Sequence, residues 1–491
     1  MVNRLLNYIK KKETSRIFRI KNPSFLRGIF YSYTQFIMID QKHIHCIGIG
    51  GIGISALARY YLAQGYRVTG TNMGHSLLLD TLASEGIEIV TDGASIISEK
   101  TEKVIYTEAI IDDDTLGLAG VRPNHKPEIE AGQKFHAEIL SYPEALAEVF
   151  HNFPMKIAVA GAHGKSTTSA MIGTILHDLQ AEGTTITGTL VKAFNGRNIS
   201  SEGQKIMNIE ACEYRNAFLK YKPDIAVVTN IDPDHLDFFK TEAAYLEAFH
   251  VFARSAKCLV MLADEAQNKG MRGLAPTTVL VSADSFEIIG DKFNGIQPGK
   301  YPYTLPELLV PGDHIRLDAQ LAYVTSQLLW LDAESVKKSL AQYPGSWRRM
   351  EVIGTTKNSN LVMSDYGHHP TEIIATLWAL KKAHPDKKLI VFFEPHQYSR
   401  TYELRHEFAT SFTRSDMTYI SDIYAARDID ERRDMITSKI LADMVAQNSS
   451  CEYVGTLDDA RAQLKKTDAE EKNFLLLLLG AGNIDELRWS I

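Results

Sequence analysis

The chain alternates short apolar runs with glycine or polar turns and amphipathic stretches, and this pattern repeats in three blocks. In the first block "HIHCIGIG" is an apolar strand. "ISALARYYLAQG" places Ile54, Leu57, Ala58, Tyr61 and Leu62 on one helical face and stops at Gly65. "YRVTGTN" and "KVIYTEAI" read as further strands, and "HNFP" breaks the periodicity near residue 150. A second block opens at "MKIAVAGAHGKSTT". Its helix buries Met171, Ile172, Ile175 and Leu179, and "QKIMNIEACEY" and "DIAVVTNIDPDHLD" follow as parallel strands with polar C-terminal ends. Residues 266–313 are richer in Gly and Pro and predict no definite element. A third block starts near "PGSWRRMEV". In it "NLVMSDYGHHPTEI", "KLIVFFEPHQYSRT", "MTYISDIYAARD" and "NFLLLLLGAGNID" each read as a strand followed by a turn. Three consecutive α/β units are the most economical architecture. Ligands bind at the C-terminal ends of such strands.

Length agrees with that division, since 491 residues make two to three domains. The chain is 45% hydrophobic and 23% charged, enough for large cores. A net charge of −7 offers no basic field for nucleic acid. The strongest apolar run, Phe474 to Gly482, is too short to span a bilayer and reads as a buried parallel strand. The four cysteines lack metal-site spacing and suit a reducing cytoplasm. Cys212, among them, is expected to be buried. Residues 1–37 carry eight Lys or Arg against one acid, Glu13. They read as a dispensable extension, with an organelle-targeting or membrane-surface arm as the alternative.

Two glycine loops carry candidate chemistry. "GIGGIG" holds Gly48, Gly50 and Gly53 in G-x-G-x-x-G spacing, with Gly51 and Ile52 between them, where a strand meets a helix. That arrangement seats a diphosphate on a helix N-terminus. Alone it favours NAD or FAD. However, Asn72 stands where an acid would bind the ribose, so another diphosphate, such as that of a UDP-sugar, stays open. In "GAHGKST" only Ala162 and His163 separate Gly161 from Gly164, too few for a full Walker A motif. Gly164, Lys165, Ser166 and Thr167 nonetheless open a helix after a strand, which fits either a phosphate cradle or a helix N-cap at Ser166. Glu210 and Glu213 past one strand, and Asp232, Asp234, His235 and Asp237 past the next, offer oxygen-rich clusters for Mg²⁺.

"GAHGKSTT", "EACEY", "TNIDPDHLD", "WRRMEV", "DYGHHPTEI", "EPHQYSRT" and "GAGNI" occur in the order found in the ATP-dependent Mur ligases, which the chain resembles from about Met38 to its end. Within that family it is most similar to the branch that adds L-alanine to UDP-N-acetylmuramate in peptidoglycan precursor synthesis. The resemblance implies a UDP-substrate domain (38–150), a central ATP-binding domain (151–343) and a C-terminal amino-acid domain (344–491). The implied protein is a cytoplasmic monomer or homodimer with small-molecule substrates, no nucleic-acid partner and no membrane insertion.

The resemblance also implies residue roles. Lys165 contacts the terminal phosphates of ATP, helped by the loop Gly161 to Thr167. Ser166, Glu210 and His235 hold Mg²⁺, and Glu213 faces the reacting groups. Arg349 contacts phosphate from the third unit. His314 and Asp365 lie on the nucleotide. His368, His396, Tyr398 and Arg400 form the amino-acid site. Two departures stand out: Asn72 replaces the family's usual acid, and Ile315 and Asp318 replace the asparagines that usually hold adenine. Rival readings are a recycling ligase that attaches murein tripeptide and a nucleotide-sensing homologue without turnover. "HQYSRT" matches the alanine-adding branch better.

Overall fold

The computed structural model describes residues 41–111, 118, 120–425 and 431–490. The basic segment 1–37 lies outside them. Three sheets divide the strands. The first contains β1 (His43–Ile47), β2 (Arg67–Thr71), β3 (Glu88–Ile89), β4 (Thr101–Tyr106) and β5 (Glu138–Ser141) in the order β3-β2-β1-β4-β5. Every pair in it is parallel. The order reverses at β1, so the β1–helix turn sits at the topological switch point where ligands bind. Gly48 makes that turn at φ 77°, a left-handed conformation that favours glycine.

The second sheet contains β6 (Met155–Ala160), β7 (Gly183–Val191), β8 (Arg197–Ser201), β9 (Ile206–Glu210), β10 (Ile225–Val228), β11 (Cys258–Leu262), β12 (Thr277–Val281), β13 (Ser285–Gly290) and β14 (Gly299–Pro302). Its order is β14-β13-β12-β11-β10-β6-β9-β7-β8. β6 lies parallel between β9 and β10, so its loop opens at the centre of the sheet's C-terminal edge. The third sheet contains β15 (Glu351–Thr355), β16 (Leu361–Asp365), β17 (Lys388–Phe393), β18 (Met417–Ser421), β19 (Cys451–Gly455) and β20 (Phe474–Leu479) in the order β15-β16-β20-β17-β18-β19. Only β15 is antiparallel in it. β20 is central and wholly buried, as its unbroken apolar run predicts. Each such side chain contributes about 1.5–3 kcal/mol by burial.

The structure departs from the hydrophobic pattern in two places. The helix α1 (Ile52–Ala63) buries more than one face: Ser55, Ala56, Arg59 and Tyr60 are enclosed as well. It is clamped between its own sheet and β7 and β8 of the second domain. Arg59 donates to Asn198 at 2.6 Å and to Glu85 at 2.6 Å, and Asn198 donates to Ser55 at 2.9 Å. The region 266–313, which predicts no element, contains β12, β13 and β14. Its hairpin geometry comes from antiparallel pairing with a strand already buried beside β11.

Candidate active site

The helix α2 (Lys165–Asp178) begins directly after β6 and its loop. Gly164, at φ 81°, is its N-cap, so Ser166 is not the cap and stands inside the first turn. A side chain at Gly164 would be strained, and its Cβ would lie 2.4 Å from Asp318 Oδ1. Asn230, at the end of β10, fixes the loop by accepting from the His163 N–H at 3.0 Å and donating to its carbonyl at 2.9 Å. The first-turn N–H groups of α2 therefore point into the cleft without intrahelical acceptors.

Lys165 folds back over this loop. Its ammonium donates to the carbonyls of Gly161 and Ala162 and pairs with Glu213 at 3.0 Å. Burial opposes the charge, but Glu213, Cys212 and Glu210 hold the lysine above its ordinary value. Glu213 is fully buried. His235 Nε2 is 3.8 Å from the same carboxylate, with its ring against Tyr214. Glu210 ends β9 and accepts from the Gly188 N–H at 2.8 Å.

The third domain meets this loop. Arg349 Nη2 is 3.4 Å from Ser166 Oγ, and its guanidinium lies over Tyr366. His163 Nδ1 bonds Glu372 at 3.1 Å, and its Nε2 faces Asp232 at 3.6 Å. Burial resists ionisation of Glu372, yet His163 and His368 hold it well below the usual carboxylate range. Arg400 Nη2 is 3.4 Å from Asp234, and Arg400 Nη1 is 3.3 Å from His396. His368 Nδ1 lies 3.1 Å from the Tyr366 carbonyl, which can only accept. Nδ1 must therefore carry the proton, and Nε2 is left as an acceptor. Burial and the nearby Arg400 push this imidazole down to about 4. Burial and His368 bring His396 to about 3.

Two cavities share the wall formed by His163, Gly164, Arg349 and Glu372. One, of about 480 Å³, is lined by Ala162, Lys165, Ser166, Glu210, Cys212, Asp234, His235, His368, His396 and Arg400 among others. The other, of about 300 Å³, is lined by Thr167, Asn230, His314, Ile315, Leu317, Asp318, Asp365 and Thr376 among others. Most of the residues singled out in the second and third units thus meet between two domains. Neither cavity is lined by a residue of the first domain.

Several placements differ from expectation. Tyr398 lines neither cavity, and its ring faces Arg433 at 5.4 Å. Cys212 is exposed rather than buried, because the turn after β9 opens to the cleft. Within the cleft, desolvation and the Glu213 carboxylate push its thiol up. Asp365 lines a cavity, but its carboxylate accepts from the Met350 and Gly367 N–H groups at 2.8 and 2.9 Å and from the Thr376 hydroxyl at 3.3 Å. Asn72 steadies the glycine loop: its Oδ1 accepts from the Gly50 N–H at 3.1 Å. Of the acidic run past β10, the Asp237 side chain lies outside the described residues.

Sequence reasoning missed Glu372. The signal was present in "HPTE": His369 and Glu372 form a reciprocal capping box on the helix Pro370–Ala383. Asp318 carries a second role. The helix Asp313–Leu328 presses it against α2, where it accepts from Thr168 at 3.1 Å, and burial pushes its carboxyl up to about 8.

A glycine turn and helix N-terminus on one α/β domain, faced by an arginine and histidines from another, suit a multidomain nucleotide-dependent ligase. Comparison with known proteins specifies it further. Residues 43–154 match the description "Mur ligase family, catalytic domain", residues 159–287 "Mur ligase middle domain" and residues 348–482 "Mur ligase, glutamate ligase domain". The UDP-N-acetylmuramate–L-alanine ligase of Caldanaerobacter subterraneus subsp. tengcongensis is 34% identical over 91% of this chain and 96% of its own. That of Alkaliphilus metalliredigens is 32% identical over 90% and 95%. The crystal structure of the Thermotoga maritima UDP-N-acetylmuramate-alanine ligase superposes with a TM-score of 0.70 at 24% identity, covering 91% of this chain and 97% of that one. A murein peptide ligase from Psychrobacter arcticus gives 0.63 at 22% identity, covering 91% and 97%. The chain belongs to the Mur ligase family.

Proposed function

We propose that the protein joins L-alanine to the lactyl carboxylate of UDP-N-acetylmuramate, using ATP, in peptidoglycan precursor synthesis. The observation that carries this reading is the meeting of Lys165, Arg349 and Arg400 on one cavity, fed from two domains. An amine cannot substitute directly at a carboxylate carbon, because the leaving group would be oxide. Transfer of the γ-phosphoryl group gives an acyl phosphate and ADP. Attack by the alanine amine gives a tetrahedral intermediate, which expels phosphate.

In this reading Lys165, the first-turn N–H groups of α2 and Arg349 stabilise the charge on the transferred phosphoryl group. The cavity beside Ile315, Leu317 and Asp318 takes the base of ATP, with His314 at its wall. Arg400 grips the alanine carboxylate as a fork. The Nε2 of His368 accepts a proton from the amine. The loop Gly48, Gly50, Gly51, Ile52 and Gly53 receives the UDP diphosphate. The Gly48, Ile49 and Gly50 N–H groups are already bonded to Thr71 and Asn72. The first turn of α1 is therefore what remains to meet the ligand.

Magnesium fits the donors present. Ser166, Glu210 and His235 line the phosphate cavity. Magnesium keeps several waters and takes phosphate oxygens beside one or two protein carboxylates. Bound there, it would neutralise the phosphate charge. Among the described residues no helix is long and apolar enough to cross a membrane. We infer a cytoplasmic reaction from the proposed substrates.

ADP release tests the assignment. It should require UDP-N-acetylmuramate and L-alanine together. Release with murein tripeptide but not with alanine would transfer the protein to the recycling branch.

A further inference from the structure

Far from the reaction cavities, the first domain buries a row of polar side chains. His43 and His45 on β1, Thr69 and Thr71 on β2, Thr101 on β4 and Glu128 on the helix Lys126–Lys134 are all enclosed. Strands of a covered parallel sheet are normally apolar, so each of these groups needs a hydrogen-bond partner. The partners form one continuous chain. The Ser98 N–H lies 3.0 Å from Thr101 Oγ1, and Thr101 Oγ1 lies 2.7 Å from His43 Nδ1. His43 Nε2 is 2.8 Å from Thr69 Oγ1, which is 2.7 Å from His45 Nδ1. His45 Nε2 is 2.7 Å from Glu128 Oε2, and the Thr71 hydroxyl donates to the same oxygen at 2.7 Å.

With neutral imidazoles the chain has one consistent direction. The carboxylate only accepts, so His45 Nε2 carries a proton and its Nδ1 accepts from Thr69. Thr69 in turn accepts from His43, and His43 accepts from Thr101. Burial holds His43 down to about 4, in keeping with a neutral ring. All the donation converges on Glu128. Its other oxygen faces His125 Nδ1 at 3.5 Å. Gly93 packs against it so closely that a Cβ there would fall 2.4 Å from Oε2.

The far side of this anchor is the glycine loop. The Thr71 carbonyl accepts from the N–H groups of Gly48 at 2.9 Å and Ile49 at 3.0 Å. The neighbouring Asn72 takes the Gly50 N–H. Three successive loop amides thus hang on two residues, and the side chain of the first is tied to Glu128.

We propose that Glu128 is a positioning residue for the nucleotide-sugar substrate. Acting through Thr71, it fixes the glycine loop so that the first turn of α1 meets the diphosphate. The inference rests on the reading that this loop holds the UDP substrate. Glu128 touches no substrate itself, and neither of the two cavities between the second and third domains includes it.

The test is direct titration of UDP-N-acetylmuramate into the full chain and its variants by calorimetry, with ATP as the control ligand. Glu128→Ala should weaken UDP-N-acetylmuramate binding about tenfold, the loss of one bond to a charged group. ATP affinity and the alanine KM should not move. Glu128→Gln, which keeps an acceptor for Thr71, should recover most of the loss. Should Glu128→Ala fail to fold, Thr71→Val removes only the hydroxyl and should give a loss in the same direction. Unchanged UDP-N-acetylmuramate affinity in a folded Glu128→Ala or in Thr71→Val overturns the inference. Gly50→Ala separates the two levels, since its Cβ would fall 2.7 Å from Asn72 Oδ1 and disrupt the loop. If Gly50→Ala binds UDP-N-acetylmuramate normally, the loop is not the diphosphate site and both readings fall. If Gly50→Ala loses binding and Glu128→Ala does not, only the role of Glu128 falls.

Discussion

Arg400 of the third domain and Asp234 of the second face each other at 3.4 Å across the domain boundary. Burial works against the charge on Asp234, but His235, Arg400 and His368 hold its carboxyl well below the usual range. Arg400 is therefore oriented by a carboxylate before any amino acid arrives. Its two Nη atoms face Asp234 and His396, and in the proposed reading this guanidinium fork receives the substrate carboxylate.

Removal of that fork should be felt by the amino acid alone. Arg400→Ala should raise the alanine KM roughly 10- to 100-fold, the cost of a charge-assisted bond. Arg400→Lys should restore little, because an ammonium lacks the planar fork. Steady-state ADP release against alanine concentration checks both variants. An unchanged KM in Arg400→Ala would remove Arg400 from the amino-acid site.

Lys165→Ala should reduce turnover at least about a thousandfold while UDP-N-acetylmuramate still binds, because in the proposed reading the lysine stabilises phosphoryl charge. The variant also leaves the buried Glu213 without its cation, and breaking such a pair costs about 3–5 kcal/mol. A lowered melting temperature should therefore accompany the lost turnover. Full turnover in a folded Lys165→Ala would contradict the phosphate role.

Asp318 has its carboxyl raised to about 8 by burial, so it is neutral in the folded protein across most of the physiological range. The folded state then binds more protons than the unfolded state between the ordinary aspartate value and 8. Stability through this group falls as pH rises over that window. Asp318→Asn should keep ATP turnover at pH 7 and gain thermal stability relative to wild type as pH approaches 8. Melting curves at pH 6, 7 and 8 measure it, and a variant that loses stability at pH 8 refutes the neutral assignment.

His368 behaves in the opposite sense. Its folded value of about 4 lies below the ordinary histidine value, so the unfolded chain binds more protons between them. Stability through this ring is full above the ordinary value and is lost as pH falls toward 4. The urea midpoint should rise from pH 4.5 to 6.5, less steeply in His368→Gln. The acid limb of kcat/KM for alanine should lie below the ordinary histidine range. An acid limb centred on that ordinary value would show that His368 is not held neutral.

The strand–turn–helix pattern was legible because parallel strands covered on both faces must be continuously apolar, as in Phe474 to Leu479. The Gly164–Lys165–Ser166 step was legible because a glycine turn into a helix N-terminus is local: strand, turn and helix are contiguous in the chain. β7 was harder to read. Its Thr-rich "GTTITGTLV" is not apolar, although its threonines are buried and hydrogen-bonded. Helix α1 looked one-sided because periodicity does not register a second domain closing on its other face.

Sequence alone therefore determined the three α/β units, the glycine turn that opens α2 and the identities of the charged groups past each strand. Tertiary structure decided how those groups are paired. Glu372 became the partner of His163 only because two domains bring residues 209 positions apart to 3.1 Å. Glu128 meets the Thr71 hydroxyl only because the helix Lys126–Lys134, packed on β4 and β5, brings its carboxylate within 2.7 Å of β2. Asp318 became neutral only because another helix seals it from water. Burial and pairing depend on what lies across the fold, and no local stretch of chain carries that information.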